Sequence, residues 1–196
     1  MEKLISMICA VAVELCSMTL SGQAVMSETE RTKVLIACFS RTGENYSVGV
    51  IEKGNTEMLV EIIAEETGVT LFEISPVTHY PDNYMEMVAI ERDEKNQNAR
   101  PELSQEIANF DDYYVIFLGY PIWHADLPMS MYTFMESYDF SGKTIIPFNT
   151  HEGSGQSGTV NSIRKTCSVA EIMNGFSVSG ATAQNDTETS GTTVKN

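Results

Sequence analysis

Basic residues are scarce in this chain: its 196 residues hold 12 Lys and Arg against 27 Asp and Glu, a formal net charge of −15. Phosphate backbones are gripped by basic surface, so this balance argues against a nucleic-acid binder. Cysteine is sparse as well. Cys9, Cys16, Cys38 and Cys167 form no CxxC pair, which points to neither a disulfide framework nor a zinc site. The chain has neither the Gly-Lys-Ser/Thr ending of a nucleoside triphosphate loop nor the GxGxxG of a dinucleotide fold. Its three histidines, His79, His124 and His151, fall into no ordered triad and no metal-ligand spacing, so no catalytic residue and no metal ligand is assigned. What remains is an acidic chain that is 42% hydrophobic, suited to one globular domain. Such a surface docks on basic partners.

The first two dozen residues stand apart. Lys3 precedes an uncharged, mostly apolar run over residues 4–13, and Ser21-Gly22-Gln23-Ala24 offers small residues for cleavage after Ala24. This is the three-part layout of a secretory signal peptide, and it implies export to a periplasmic or extracellular location. The run is too short for a transmembrane span. Gln23 stands where a lipidated cysteine would be needed, so no lipid anchor forms there. The alternative is a cytoplasmic protein whose translation starts at Met26.

From Lys33 onward, apolar runs alternate with helical patterns. Strands are predicted over residues 34–39, 69–74, 114–119, 144–148 and 175–178. Helices are predicted over residues 55–68, 84–95, 129–135 and 159–165. Continuous apolar strands alternating with helices mean a doubly wound α/β fold, a parallel sheet covered on both faces. Residues 180–196 lack apolar periodicity and read as a disordered polar tail. The folded domain is therefore expected over residues 33–179.

In such a sheet ligands bind beyond the carboxyl ends of the strands, where three loops have unusual composition. The first is Ser40-Arg41-Thr42-Gly43, resumed after a spacer by Gly54-Asn55-Thr56. Hydroxyls, glycine and free N–H groups at a helix start suit a phosphate, and equally suit a plain turn capped at Asn55. The second, Gly119-Tyr120-Pro121-Ile122-Trp123, carries the single tryptophan, which either stacks on a flat ring or packs on the neighbouring helix. Asp126 reads as the N-cap of that helix. The third is Thr150-His151-Glu152-Gly153-Ser154-Gly155, whose glycines let backbone amides approach a ligand or simply loosen a turn.

Together and in this order, these three segments resemble the flavodoxin family, and its bacterial flavodoxin-like branch most closely, over residues 33–178. The resemblance implies a five-stranded parallel sheet in the order 2-1-3-4-5 that binds FMN noncovalently. It would set the phosphate among Ser40, Arg41, Thr42, Gly43, Asn55 and Thr56. The isoalloxazine would lie between Pro121, Ile122 and Trp123 on one side and Thr150, Glu152 and Gly153 on the other. Two departures stand out. Residues 44–53 split the phosphate loop, and the helix that closes the family fold is expected to be missing, leaving one sheet face without cover. The implied function is electron transfer through the flavin to basic-surfaced redox proteins or a small-molecule acceptor. An FMN-dependent NAD(P)H oxidoreductase of quinone-reductase type is the alternative, and a cofactor-less interaction protein of the same shape is a third.

Overall fold

A computed structural model describes residues 33–67 and 69–195. The signal-peptide reading of residues 1–24 and the alternative start at Met26 lie outside the described residues. Four apolar runs become the central strands β1 (Lys33–Cys38), β4 (Thr70–Glu73), β5 (Tyr113–Pro121) and β6 (Thr144–His151). All are parallel, in the spatial order β4-β1-β5-β6. The fifth position is shared by β7 (Glu171–Ile172) and β8 (Phe176–Ser179). The former pairs with Thr144 and Ile145 at the start of β6, the latter with residues 148–151 at its end. The interruption falls beside Pro147, which has no N–H for a ladder hydrogen bond. Counted by main strands, this is the expected order 2-1-3-4-5.

Alternation along each strand sends side chains to two separate cores. Leu35, Ala37, Ile116 and Leu118 face one side, where they meet Met131 and Phe134 of α3 (Met129–Ser137) and Ile163 of α4 (Thr159–Thr166). Ile36, Cys38, Val115 and Phe117 face the other and meet Leu59, Val60 and Ile63 of α1 (Asn55–Thr67). α2 (Tyr84–Gln97) flanks the first layer; Asn83 caps it, accepting from the Glu86 N–H at 3.0 Å. The two described cysteines, Cys38 and Cys167, are buried and unpaired, and burial pushes both thiols up.

Two expectations are corrected here. The final helix is present, and residues 180–195 are not a disordered tail: they form α5 (Gly180–Asn185) and α6 (Thr187–Lys195). The pair lies on α1 and β8 and covers the sheet face expected to be bare. Ser179 caps α5, and Asp186 accepts from the N–H and hydroxyl of Thr189 at 2.9 and 2.6 Å. The buried face consists of Gly180, Ala183, Ser190, Gly191 and Val194. Small residues let helices lie close to what they cover, yet they leave no run of large apolar side chains for periodicity to register.

The inserted residues also have structure. β2 (Gly43–Asn45) and β3 (Gly49–Ile51) form an antiparallel hairpin, tightened by left-handed backbone at Ser47 and Gly49. Among the described residues no helix is long and apolar enough to cross a membrane.

Candidate functional site

The hairpin carries the chain out from the end of β1 and returns it to the start of α1. Both halves of the split loop therefore meet. The approach is close: a Cβ at Gly54 would lie 2.1 Å from Ser40 Oγ and 2.8 Å from the Arg41 carbonyl oxygen. Ser40 Oγ accepts from the Glu57 N–H at 3.1 Å. Glu57 itself accepts from the Gly54 N–H at 3.3 Å, so one first-turn donor is already answered within the helix. Thr56 is buried, and its hydroxyl lies 2.8 Å from that of Thr150 at the end of β6. Asn55 Oδ1 accepts from Gln184 of α5 at 3.0 Å.

Arg41 plays a different part from the one its position suggests. Its guanidinium donates to the carbonyls of Glu44, Pro81 and Asp82 at 2.6, 2.6 and 2.7 Å. These bonds tie the hairpin to the loop before α2, and burial pulls the guanidinium below its ordinary pKa. Its Nε–H is buried with no partner among the described residues, which leaves one unspent donor. Gly43 is buried against Asp82, and Thr42 is exposed beside it.

The other two loops form a crevice next to this cradle. Pro121 pairs with Thr150 in the β5–β6 ladder, and the Ile122 N–H donates to the Thr150 carbonyl at 2.8 Å. Trp123 is half-buried and packs by edge-to-face contacts on Phe39 (5.2 Å, 84°) and Tyr80 (5.0 Å, 88°). It also lines the crevice, together with Thr150, Glu152 and Asn55. Gly153 is exposed at φ 95°, and its N–H donates to His151 Nδ1 at 2.9 Å. Glu152 and Asn55 converge on Gly180, where a Cβ would sit 2.5 Å from Glu152 Oε1 and 2.3 Å from Asn55 Nδ2.

Residues 33–191 match the family model described as Flavodoxin. The chain belongs to the flavodoxin family. A candidate flavoprotein from Bacteroides uniformis is 27% identical, covering 84% of this chain and 98% of its own, with a TM-score of 0.65. One from Bacteroides eggerthii is 26% identical over 79% of this chain and 94% of its own, with a TM-score of 0.61. A flavoprotein from Lactobacillus acidophilus in complex with FMN shares the fold at 18% identity and a TM-score of 0.59, over 76% of this chain and 93% of its own. No curated protein matches.

Within this flavodoxin-family chain, three crevice residues escaped the sequence reading: Tyr46, Tyr84 and Met87. Tyr46 rides on the hairpin turn and is 61% exposed, with its ring 6.0 Å from that of Tyr84. An aromatic inside the insertion was the one available signal, and spacing alone could not say that the hairpin folds back over α2. Asp126 does not cap α3. It accepts from the Leu127 N–H and the Tyr132 hydroxyl at 2.9 and 2.8 Å, while Pro128 occupies the N-cap position of the helix.

A larger cavity, about 380 Å³ against 130 Å³ for the crevice, opens between the ends of β1 and β4. Phe39 and Tyr80 line it, so the aromatic trio with Trp123 is a wall common to both spaces. Ser40, Arg41 and Thr42 of the cradle line this cavity and not the crevice, and Glu57, Glu73 and Asp82 line it with them, so their carboxylates oppose an anion that the Arg41 guanidinium would favour. Size alone therefore does not mark the functional site.

Proposed function

We propose that this flavodoxin-family protein binds FMN noncovalently in the crevice and works as an electron carrier. The observation that carries the reading is the continuity of cradle and crevice: the Thr56–Thr150 hydroxyl contact joins the helix start to the ring loop. The residues present suit the group. Ser40, Thr42, the Asn55 side chain and the Asn55 and Thr56 N–H groups at the start of α1 offer neutral donors and the positive end of a helix dipole to a phosphate. No lysine lines the crevice, and the spare Nε–H of Arg41 adds a charged donor in the same loop. Trp123 supplies an aromatic wall against which a flat ring packs, facing the Thr150, Glu152 and Gly153 loop. The crevice encloses about 130 Å³, below the roughly 300 Å³ at which enclosed ligand pockets begin, so it takes in only part of the cofactor. That the Lactobacillus acidophilus flavoprotein of the same fold holds FMN supports the assignment.

When bound, FMN supplies one- and two-electron transfer, and the protein contributes position and electrostatics. The imidazole of the ring loop is engaged in building it: His151 Nδ1 accepts from the Gly153 N–H. This supports a carrier over an enzyme with acid–base chemistry of its own. The acidic surface suits docking on basic redox partners. The test is an absorbance and fluorescence titration of purified protein with FMN, followed by reduction of a basic acceptor protein at rising salt. Saturable FMN uptake and a steep salt dependence are expected. Oxidation of NAD(P)H by the protein alone would assign it to the oxidoreductases. A preparation that takes up no FMN would leave an interaction protein.

A further inference from the structure

Behind Trp123 lies a group of charges that the electron-carrier reading does not use. Tyr84 and Met87 of α2 line the crevice, and one turn further on the same helix sits Glu91, 1% exposed. Its Oε2 lies 2.8 Å from His124 Nε2, while Oε1 is buried without a partner.

His124 belongs to a strained turn. Trp123 and Asp126 exchange N–H···O bonds at 3.0 and 2.8 Å, and between them His124 and Ala125 adopt φ 44° and 59°. Left-handed backbone at two successive residues with a Cβ persists only where surrounding contacts over-determine it. Those contacts come from α2 and α3. Lys95 Nζ donates to the His124 carbonyl at 2.5 Å and lies 3.7 Å from Asp126 Oδ2; the Tyr132 hydroxyl holds Asp126 Oδ1; Glu91 holds the imidazole.

We propose that Glu91 is a positioning residue for the crevice: through His124 it sets the place of the Trp123 turn, and protonation of the Glu91 carboxyl shifts both the surroundings of the indole and the affinity for FMN. The part concerning FMN rests on the proposed function; the part concerning Trp123 does not.

With Glu91 ionised, Oε2 faces His124 Nε2, which also lies 3.4 Å from the Val88 carbonyl, and Oε1 carries its share of the negative charge unanswered. Proton uptake removes that charge. Burial pushes the Glu91 carboxyl up to about 7, with Glu94 and Asp126 acting in the same direction and Lys95 and Arg92 opposing. Tyr80, whose hydroxyl donates to Glu94 at 2.7 Å, and Tyr84 complete the titratable groups around it. Removing a negative charge behind the crevice favours an anionic ligand, so FMN affinity should rise as pH falls through neutrality.

Trp123 is the single tryptophan of the chain, so its emission reports the turn without any cofactor. Emission of the FMN-free full chain should follow one sigmoid with a midpoint near neutrality. Glu91→Gln, which keeps the size and a hydrogen bond to His124, should abolish it. His124→Asn, which tolerates left-handed backbone, should abolish the optical signal by cutting the link, and it decides the matter if the first variant fails to fold. The FMN dissociation constant should rise several-fold from pH 6 to pH 8 beyond the rise seen in Glu91→Gln, a comparison that cancels the titration of the FMN phosphate. A wild-type emission flat between pH 6 and 8, or a sigmoid unchanged in either variant, overturns the proposal. A protein that titrates normally yet binds no FMN overturns the electron-carrier reading and leaves the Glu91–His124 link standing.

Discussion

Thr56, in the first turn of α1, and Thr150, near the end of β6, are 94 residues apart and share a buried hydroxyl–hydroxyl contact of 2.8 Å. The contact fixes the helix start against the third loop, so the cradle and the crevice move as one piece. Thr150→Val keeps the volume but leaves the Thr56 hydroxyl buried and unanswered, at a cost of about 1–3 kcal/mol. The double variant Thr56→Val/Thr150→Val should recover part of that loss, because no polar group is then stranded. Urea unfolding of the four proteins in a double-mutant cycle measures the coupling.

Trp123→Ala removes the indole from Phe39 and Tyr80 and opens the crevice wall. FMN affinity should fall by about 1–3 kcal/mol, roughly fivefold to 150-fold in dissociation constant. Trp123→Phe should lose less, because an aromatic edge contact survives. An unchanged dissociation constant in Trp123→Ala would refute the stacking role.

The burial of Glu91 carries a stability consequence whose sign is unusual for a carboxyl. Its folded pKa of about 7 lies above the ordinary 4.5, so between those values the folded protein holds a proton that the unfolded chain releases. The group is without penalty below pH 4.5, costs progressively more as pH rises through the window, and levels off above 7. The full difference is on the order of 3 kcal/mol. Unfolding midpoints at pH 5 and pH 8 should therefore differ more for the wild type than for Glu91→Gln.

Ending the chain at Ser179 removes Ala183 and Val194 from the core that holds Ile36, Phe117 and Phe148. It also removes Gln184, which donates to the Lys53 carbonyl and to Asn55 Oδ1 at 2.8 and 3.0 Å. The shortened protein should unfold at lower urea, bind a hydrophobic dye, and hold FMN more weakly because the start of α1 has lost its brace.

Arg41→Lys keeps the charge but cannot reproduce three carbonyl contacts from one planar fork. The hairpin should loosen while the sheet does not, seen as faster amide exchange at Glu44, whose N–H donates to the Asp82 carbonyl at 2.8 Å. Exchange in β5 should stay unchanged.

The central strands and four helices were legible because large apolar side chains mark them directly. Residues 114–119 could be nothing but an inner strand, and the helix starting at Asn55 showed its face through Leu59, Ile62 and Ile63. The hairpin and the closing helices were not legible for opposite reasons. The hairpin is short and exposed, so no burial pattern constrains it. The closing helices are covered by Gly180, Ala183 and Ser190, whose chemistry reads as linker until a groove is there to receive them. Among site residues, the loops at the ends of β1, β5 and β6 were found by their glycines, hydroxyls and single tryptophan. Tyr46, Tyr84, Met87 and Glu91 were missed, since each owes its role to a neighbour distant in sequence.

Strand identity and the three unusual loops followed from composition and periodicity, because burial is repaid locally along each run of residues; strand order came from the family resemblance alone. The rejoining of a split loop, the cover made of small residues, and the buried contact between Glu91 and His124 were decided only by tertiary structure. Each depends on how close two distant backbones come, and hence on the desolvation and hydrogen-bond geometry that a linear pattern does not contain.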